Sequence, residues 1–142
     1  MPASFRPKWP LYMAVLAAVI FTSCTYTFTR QLTPKFMVDN DSLQHELWRI
    51  LPCESYNTNG SAVNENGVKA TILEIDLVNP QDYPSSDTLM KELGRKVAFF
   101  LKKSLADKKE FQYFKILFVK RTRDDGVTRD SWQEVKFAFG EI

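Results

Sequence analysis

The sequence predicts an α+β fold in two layers: a mainly antiparallel sheet of three to four strands packed on one long helix, with a short N-terminal helix beside it. Three observations carry this. Leu89, Leu93, Val97, Phe100, Leu101 and Leu105 recur at the spacing of a single helical face. Leu73, Ile75 and Leu77 alternate with Glu74 and Asp76, as in a strand with one buried side. Phe114, Ile116 and Phe118, then Val135, Phe137 and Phe139, repeat that alternation on either side of Asp124-Asp125-Gly126, a hairpin turn signal.

The elements follow in order within one expected domain, residues 39–142. Asp39-Asn40-Asp41-Ser42 offers N-caps for a short helix whose apolar stripe is Leu43, Leu47, Ile50 and Leu51, and Pro52 stops it. A short strand at Cys53–Tyr56 is possible. Residues 57–67, rich in Asn, Gly and Ser, read as a loop. Val68 to Val78 is a clear strand, ended by Asn79-Pro80. The long helix begins after Pro84, with Ser85, Ser86 or Asp87 as its cap, and should run from about 86 to 106, with Lys102, Lys103, Lys108 and Lys109 near its C-terminal end, where cations suit the helix dipole. A strand over Phe111–Arg123, a loop reaching about Asp130, and a strand over Trp132–Phe139 complete the chain. The strands flanking the long helix could also pair in parallel.

The N-terminus carries a different message. Arg6 and Lys8 precede an apolar run from Leu11 to Phe21, and Thr22-Ser23-Cys24 follows. A basic start, a short apolar segment and small residues at its end read as a secretory signal. With Cys24 directly after them, the segment resembles the lipobox of bacterial lipoproteins. Phe21 stands where leucine is usual, a departure similar to the relaxed lipoboxes of Bacteroidetes. The resemblance covers residues 1 to about 24. It implies that residues 1–23 are removed as a signal peptide, that Cys24 becomes the acylated first residue, and that the protein is held to a membrane of the cell envelope. Residues 24–38, with several threonines and Pro34 and without strand or helix periodicity, then read as a tether. Because Thr25 to Arg30 contains no acidic residue, the resemblance points to a periplasm-facing protein. Two alternatives stay open: an uncleaved transmembrane anchor, since spanning a bilayer takes roughly 17–25 apolar residues and Trp9–Phe28 can be counted as such a stretch, and a signal cut by the general peptidase.

Charge and chemistry narrow the function. Two of the 19 basic residues fall within 1–23, which leaves 17 against 17 acidic ones and a neutral mature chain of 119 residues. Nucleic-acid binding needs a concentrated positive surplus, so nucleic acid is not an expected partner. The one histidine, His45, and Cys53 lie either side of Pro52 with no catalytic motif around them, and Cys53 reads as a packed apolar residue. Asp124, Asp125 and Asp130 lack the spacing of a calcium loop, and no zinc set or phosphate loop is present. No cofactor, metal or catalytic residue is therefore assigned. Lys91, Arg95, Lys96, Lys102 and Lys103 read as a solvated helix face.

What remains is a surface. If Phe114, Ile116, Phe118, Val135, Phe137 and Phe139 face the helix, then Tyr113, Leu117, Val119 and Trp132 face away, forming a possible binding face. The short helix or the tether could equally cover it. The expected function is a lipid-anchored envelope protein with a non-catalytic interaction or structural role, with a possible protein partner. The alternative is a periplasmic lipoprotein that binds a small ligand or peptide; an enzyme built on Cys53 ranks third.

Overall fold

The computed structural model describes residues 27–142; Cys24 and the signal-like segment 1–23 lie outside the described residues. The described chain runs β1 (Thr27–Leu32), α1 (Asn40–Ile50), β2 (Ser55–Glu65), β3 (Val68–Val78), α2 (Asp87–Ser104), β4 (Tyr113–Asp124) and β5 (Val127–Ala138), with a 3-10 turn at Phe139–Glu141. The strands form one five-stranded sheet in the order β1-β2-β3-β4-β5. Its neighbours are antiparallel except β3 and β4, which are parallel.

This corrects the expected architecture. The class is broadly α+β, but the sheet is mixed and has five strands, not three or four in a mainly antiparallel arrangement. Both additional pieces of sheet come from polar sequence. Residues 27–32, expected within a tether, form edge strand β1. Residues 57–65, expected in a loop, are most of β2, which closes on β3 through the two-residue turn Asn66-Gly67. Asn66 and Gly67 have φ of 52° and 85°, the left-handed conformations that an Asn-Gly hairpin turn requires. The hairpin after β4 is likewise tighter than expected. Asp125 and Gly126 alone make the turn, with φ of 45° and 77°, and pairing resumes at Val127.

The helices form where the caps and stripes indicate. Asp39 accepts a hydrogen bond from the Ser42 amide at 2.9 Å at the start of α1, and Ser86 accepts one from the Leu89 amide at 3.3 Å at the start of α2. The Asp39 carboxyl is held below its ordinary pKa chiefly by that Ser42 amide bond. Leu43, Leu47 and Leu51 from the α1 region and Val97, Ala98 and Leu101 from α2 join Leu73, Ile75, Leu77, Phe114, Ile116 and Phe118 in one core, and most of these are fully buried. Both helices thus lie on the same side of the sheet. Helix α2 is the crossover between parallel strands β3 and β4. It comes close to β5 at Gly94, where an added Cβ would sit 2.6 Å from Val135 Cγ1.

Candidate functional site

With α1 and α2 on one face, no described element covers the other, and the parallel register decides which side chains share it. Val78 of β3 is level with Val119 of β4, and Val119 is level with Trp132 of β5. One step along the strands, Asp76 is level with Leu117, and Leu117 with Glu134. Glu74, Lys115 and Lys136 form the next row. Ile72 and Tyr113 lie beyond it.

Tyr113, Leu117, Val119 and Trp132 are therefore all on the open face, but they do not form one patch. Leu117, Val119 and Trp132 adjoin Val78 in an apolar strip. Tyr113 stands apart, beyond Lys115, with the Lys136 ammonium 4.2 Å from its ring centre. Val78 and Val119 are 1% and 8% exposed, whereas Trp132 is 62% exposed. Together with Leu117 they line a shallow concavity bordered by Glu74, Asp76, Arg121 and Asp130.

The border is largely paired. Lys115 Nζ lies 3.0 Å from Glu74 Oε2 and 3.3 Å from Glu134 Oε2. Burial works against the Lys115 ammonium, but Glu74 and Glu134 outweigh it, and the net effect raises its pKa. Arg121 grips Asp130 with two bonds, Nε to Oδ1 at 2.9 Å and Nη2 to Oδ2 at 2.8 Å, a bidentate fork. That contact raises the Arg121 pKa and lowers that of Asp130. Asn79, at φ 48°, accepts the Arg121 amide at 2.7 Å and so ties the end of β3 to β4. Asp76 has no such arrangement. Burial first, and Glu74 beside it second, push its carboxyl above the ordinary aspartate value. The concavity thus offers an apolar floor, an exposed indole and three carboxylates against one guanidinium.

His45 and Cys53 do share a groove, with Trp48 and Tyr56 in its lining. Its chemistry is poor for a nucleophile. The Cys53 thiol donates to the Leu51 carbonyl at 3.4 Å, and the Cys53 amide donates to the Tyr56 hydroxyl, which itself donates to the Leu51 carbonyl at 2.7 Å. Burial pushes the thiol pKa up to about 11, so it stays protonated near neutral pH, the reverse of an activated cysteine. Among the described residues, no three His, Cys, Asp or Glu side chains gather as a metal site requires. A further concavity lies on the helix side of the sheet, beyond the end of the helices, lined by Phe28, Arg30, Ala62, Asn64, Lys69 and Thr71 among others.

Sequence alternation found the open face but not the concavity. Val78 and Asp76 belong to it only because β3 and β4 are parallel and in this register, whereas Arg121 and Asp130 join it through the β4–β5 hairpin. The alternation within each strand could have placed each residue on a face, but nothing local fixes which rows align.

The fold and this face define a two-layer α+β domain with one sheet surface left open. Comparison with known proteins returns no match: no protein-family model fits the chain, and no curated protein and no solved structure matches it. Among the described residues, no helix is long and apolar enough to cross a membrane.

Proposed function

We propose that the protein is a lipid-anchored component of a bacterial cell envelope, acylated at Cys24, whose open sheet face binds a protein partner without catalysis. The observation that carries the binding half is the strip of Val78, Leu117, Val119 and Trp132 on a face that neither helix covers, ending in an indole 62% exposed. Exposed aromatics beside a buried apolar floor are the usual anchors of protein contacts. The anchoring half is supported by the lipobox-like Thr22-Ser23-Cys24 after its apolar run.

Each half has its own test. Growth with a radioactive fatty acid should label the wild type and leave Cys24→Ala unlabelled; label retained in the variant refutes the anchor. For the face, a photo-crosslinking amino acid at position 132, compared with one at exposed Phe99 on α2, should give a defined adduct in intact envelopes only at 132. Equal crosslinking at both positions, or none at 132, refutes the assignment.

A further inference from the structure

The linker between the lipid and the folded domain is far shorter than the sequence implies. Thr27, the first paired residue among the described residues, is only three residues after Cys24. Three residues span at most about 11 Å. Any acyl chains on Cys24 therefore draw one particular end of the domain against the headgroups, and the sheet register identifies that end. Thr27 is level with Glu65, and Glu65 with Val68, so the start of β1 lies beside the Asn66-Gly67 turn. The loop from α2 to β4 reaches the same end, since the Gln112 amide donates to the Thr71 carbonyl at 2.9 Å.

The composition of that end suits a lipid surface. Val68 and Phe28 are 72% and 53% exposed, at or next to the level of the turn. Exposed Arg30 and Lys69 lie on β1 and β3 beside them, and exposed Lys108 and Lys109 on the α2–β4 loop that reaches this end, against exposed Glu65 and Asp107 and half-buried Glu110. Apolar groups that enter the interface, with cations that meet anionic headgroups, are what holds a peripheral protein at a bilayer. The opposite end is out of reach of Cys24. Asp124, at the Asp125-Gly126 turn, lies fifteen strand positions from Val68 by the register, roughly 50 Å away at about 3.3 Å per residue; that end exposes Val127, Arg123 and Arg129 as well as Asp124 and Asp125, so reach from Cys24 and not composition separates the two ends.

Resting on the Cys24 anchor proposed above, we infer that the end bearing the start of β1 and the Asn66-Gly67 turn is a membrane-contacting surface. Phe28 and Val68 enter the interface of an anionic bilayer, and Arg30, Lys69, Lys108 and Lys109 meet its headgroups. The strands then run away from the bilayer, and the open face with Trp132 is held clear of it, where a partner can reach it.

The test uses the acylated protein isolated from producing cells and placed in vesicles of phosphatidylethanolamine and phosphatidylglycerol. A nitroxide is attached at Val68→Cys, Phe28→Cys or Val127→Cys in a Cys53→Ala background, each variant checked for native circular dichroism. Labels at 68 and 28 should favour relaxation by dissolved oxygen over a water-soluble nickel chelate severalfold more than the label at 127. The mass of the same sample reports the acyl chains independently. An acylated Cys24 with the labels at 68 and 28 as open to nickel as that at 127 overturns the placement and leaves the anchor standing. An unacylated Cys24 overturns the anchor, and the placement with it.

Discussion

The β2–β3 and β4–β5 hairpins meet at the parallel centre of the sheet, each closed by a two-residue turn with both residues at positive φ. Their support differs. The β4–β5 hairpin is apolar near its base, where Phe114, Ile116, Phe118, Val135 and Phe137 are buried under α2, and its outer half, past Val119, has no third strand beside it. In the β2–β3 hairpin only β3 is strongly apolar. Strand β2 reads Ser-Tyr-Asn-Thr-Asn-Gly-Ser-Ala-Val-Asn-Glu, which has little β preference of its own. It is held because β3 pairs along its whole length and β1 pairs along its outer half. One hairpin is fixed by burying its side chains, the other by satisfying backbone groups on both sides, and strand propensity reports only the first kind.

The sharpest way to break this contrast is in the apolar base. Phe114 is fully buried and stacks on Phe139 with ring centres 5.1 Å apart. Phe114→Ala should cost about 3–5 kcal/mol, read from the urea midpoint at unchanged m. Next comes Gly60, the point where β2 is squeezed. An added Cβ would lie 2.8 Å from the Leu32 carbonyl oxygen and 2.9 Å from a Phe111 ring carbon. Gly60→Ala should cost about 1–3 kcal/mol and should speed amide exchange in β1 more than in β5; a silent variant would mean that β1 does not constrain β2.

The turns give a smaller effect. Gly67→Ala and Gly126→Ala meet no atoms within 4 Å but force a left-handed alanine, at φ of 85° and 77°. Each should cost about 1 kcal/mol, seen as a lowered Tm. Exchange should rise over residues 120–131 in the second variant and much less over 60–65 in the first, because β1 still braces β2.

The smallest effects are electrostatic, and opposite in sign. The Asp76 carboxyl is raised by burial and by Glu74, so its ionised form is the disfavoured one in the fold. The stability associated with it is present below the unfolded value near 3.8 and is lost as pH rises through the folded value. Asp76→Asn should therefore stabilise at neutral pH, by about 0.5 kcal/mol or less, with the gain gone below the ordinary aspartate pKa. Asp130, lowered by its bond to Arg121, contributes above its unfolded value and loses that contribution as pH falls through the folded one. Asp130→Asn should show its deficit at neutral pH and none in strong acid. Paired pH–Tm curves that do not differ in sign would contradict the two environments.

Particular residues show how much was legible. The α2 stripe and the alternation of β3 and β4 placed Val97, Leu73 and Phe114 in the core because burial leaves its period in the sequence. The same alternation put Leu117, Val119 and Trp132 on the far face. Thr27–Leu32 carries no such period, since five of its six residues are exposed and it contributes mainly backbone pairing. Asn66-Gly67 was itself a hairpin signal, obscured by the polar residues before it. The candidate concavity was out of reach because it depends on Val78 standing level with Val119, a parallel register set by the α2 crossover and not by either strand.

What the sequence alone determined is the apolar side of both helices and of β3, β4 and β5, the cap candidates of both helices and the hairpin signal at Asp124-Asp125-Gly126, all of them interactions among near neighbours or simple partition from water. Tertiary structure decided the number of strands, the two-residue closure of both hairpins, the parallel join of β3 to β4, the rows that form the open face, and the pairing of Thr27–Leu32 as an edge strand. Those depend on which distant backbone groups find partners, and that choice is made by the assembled sheet.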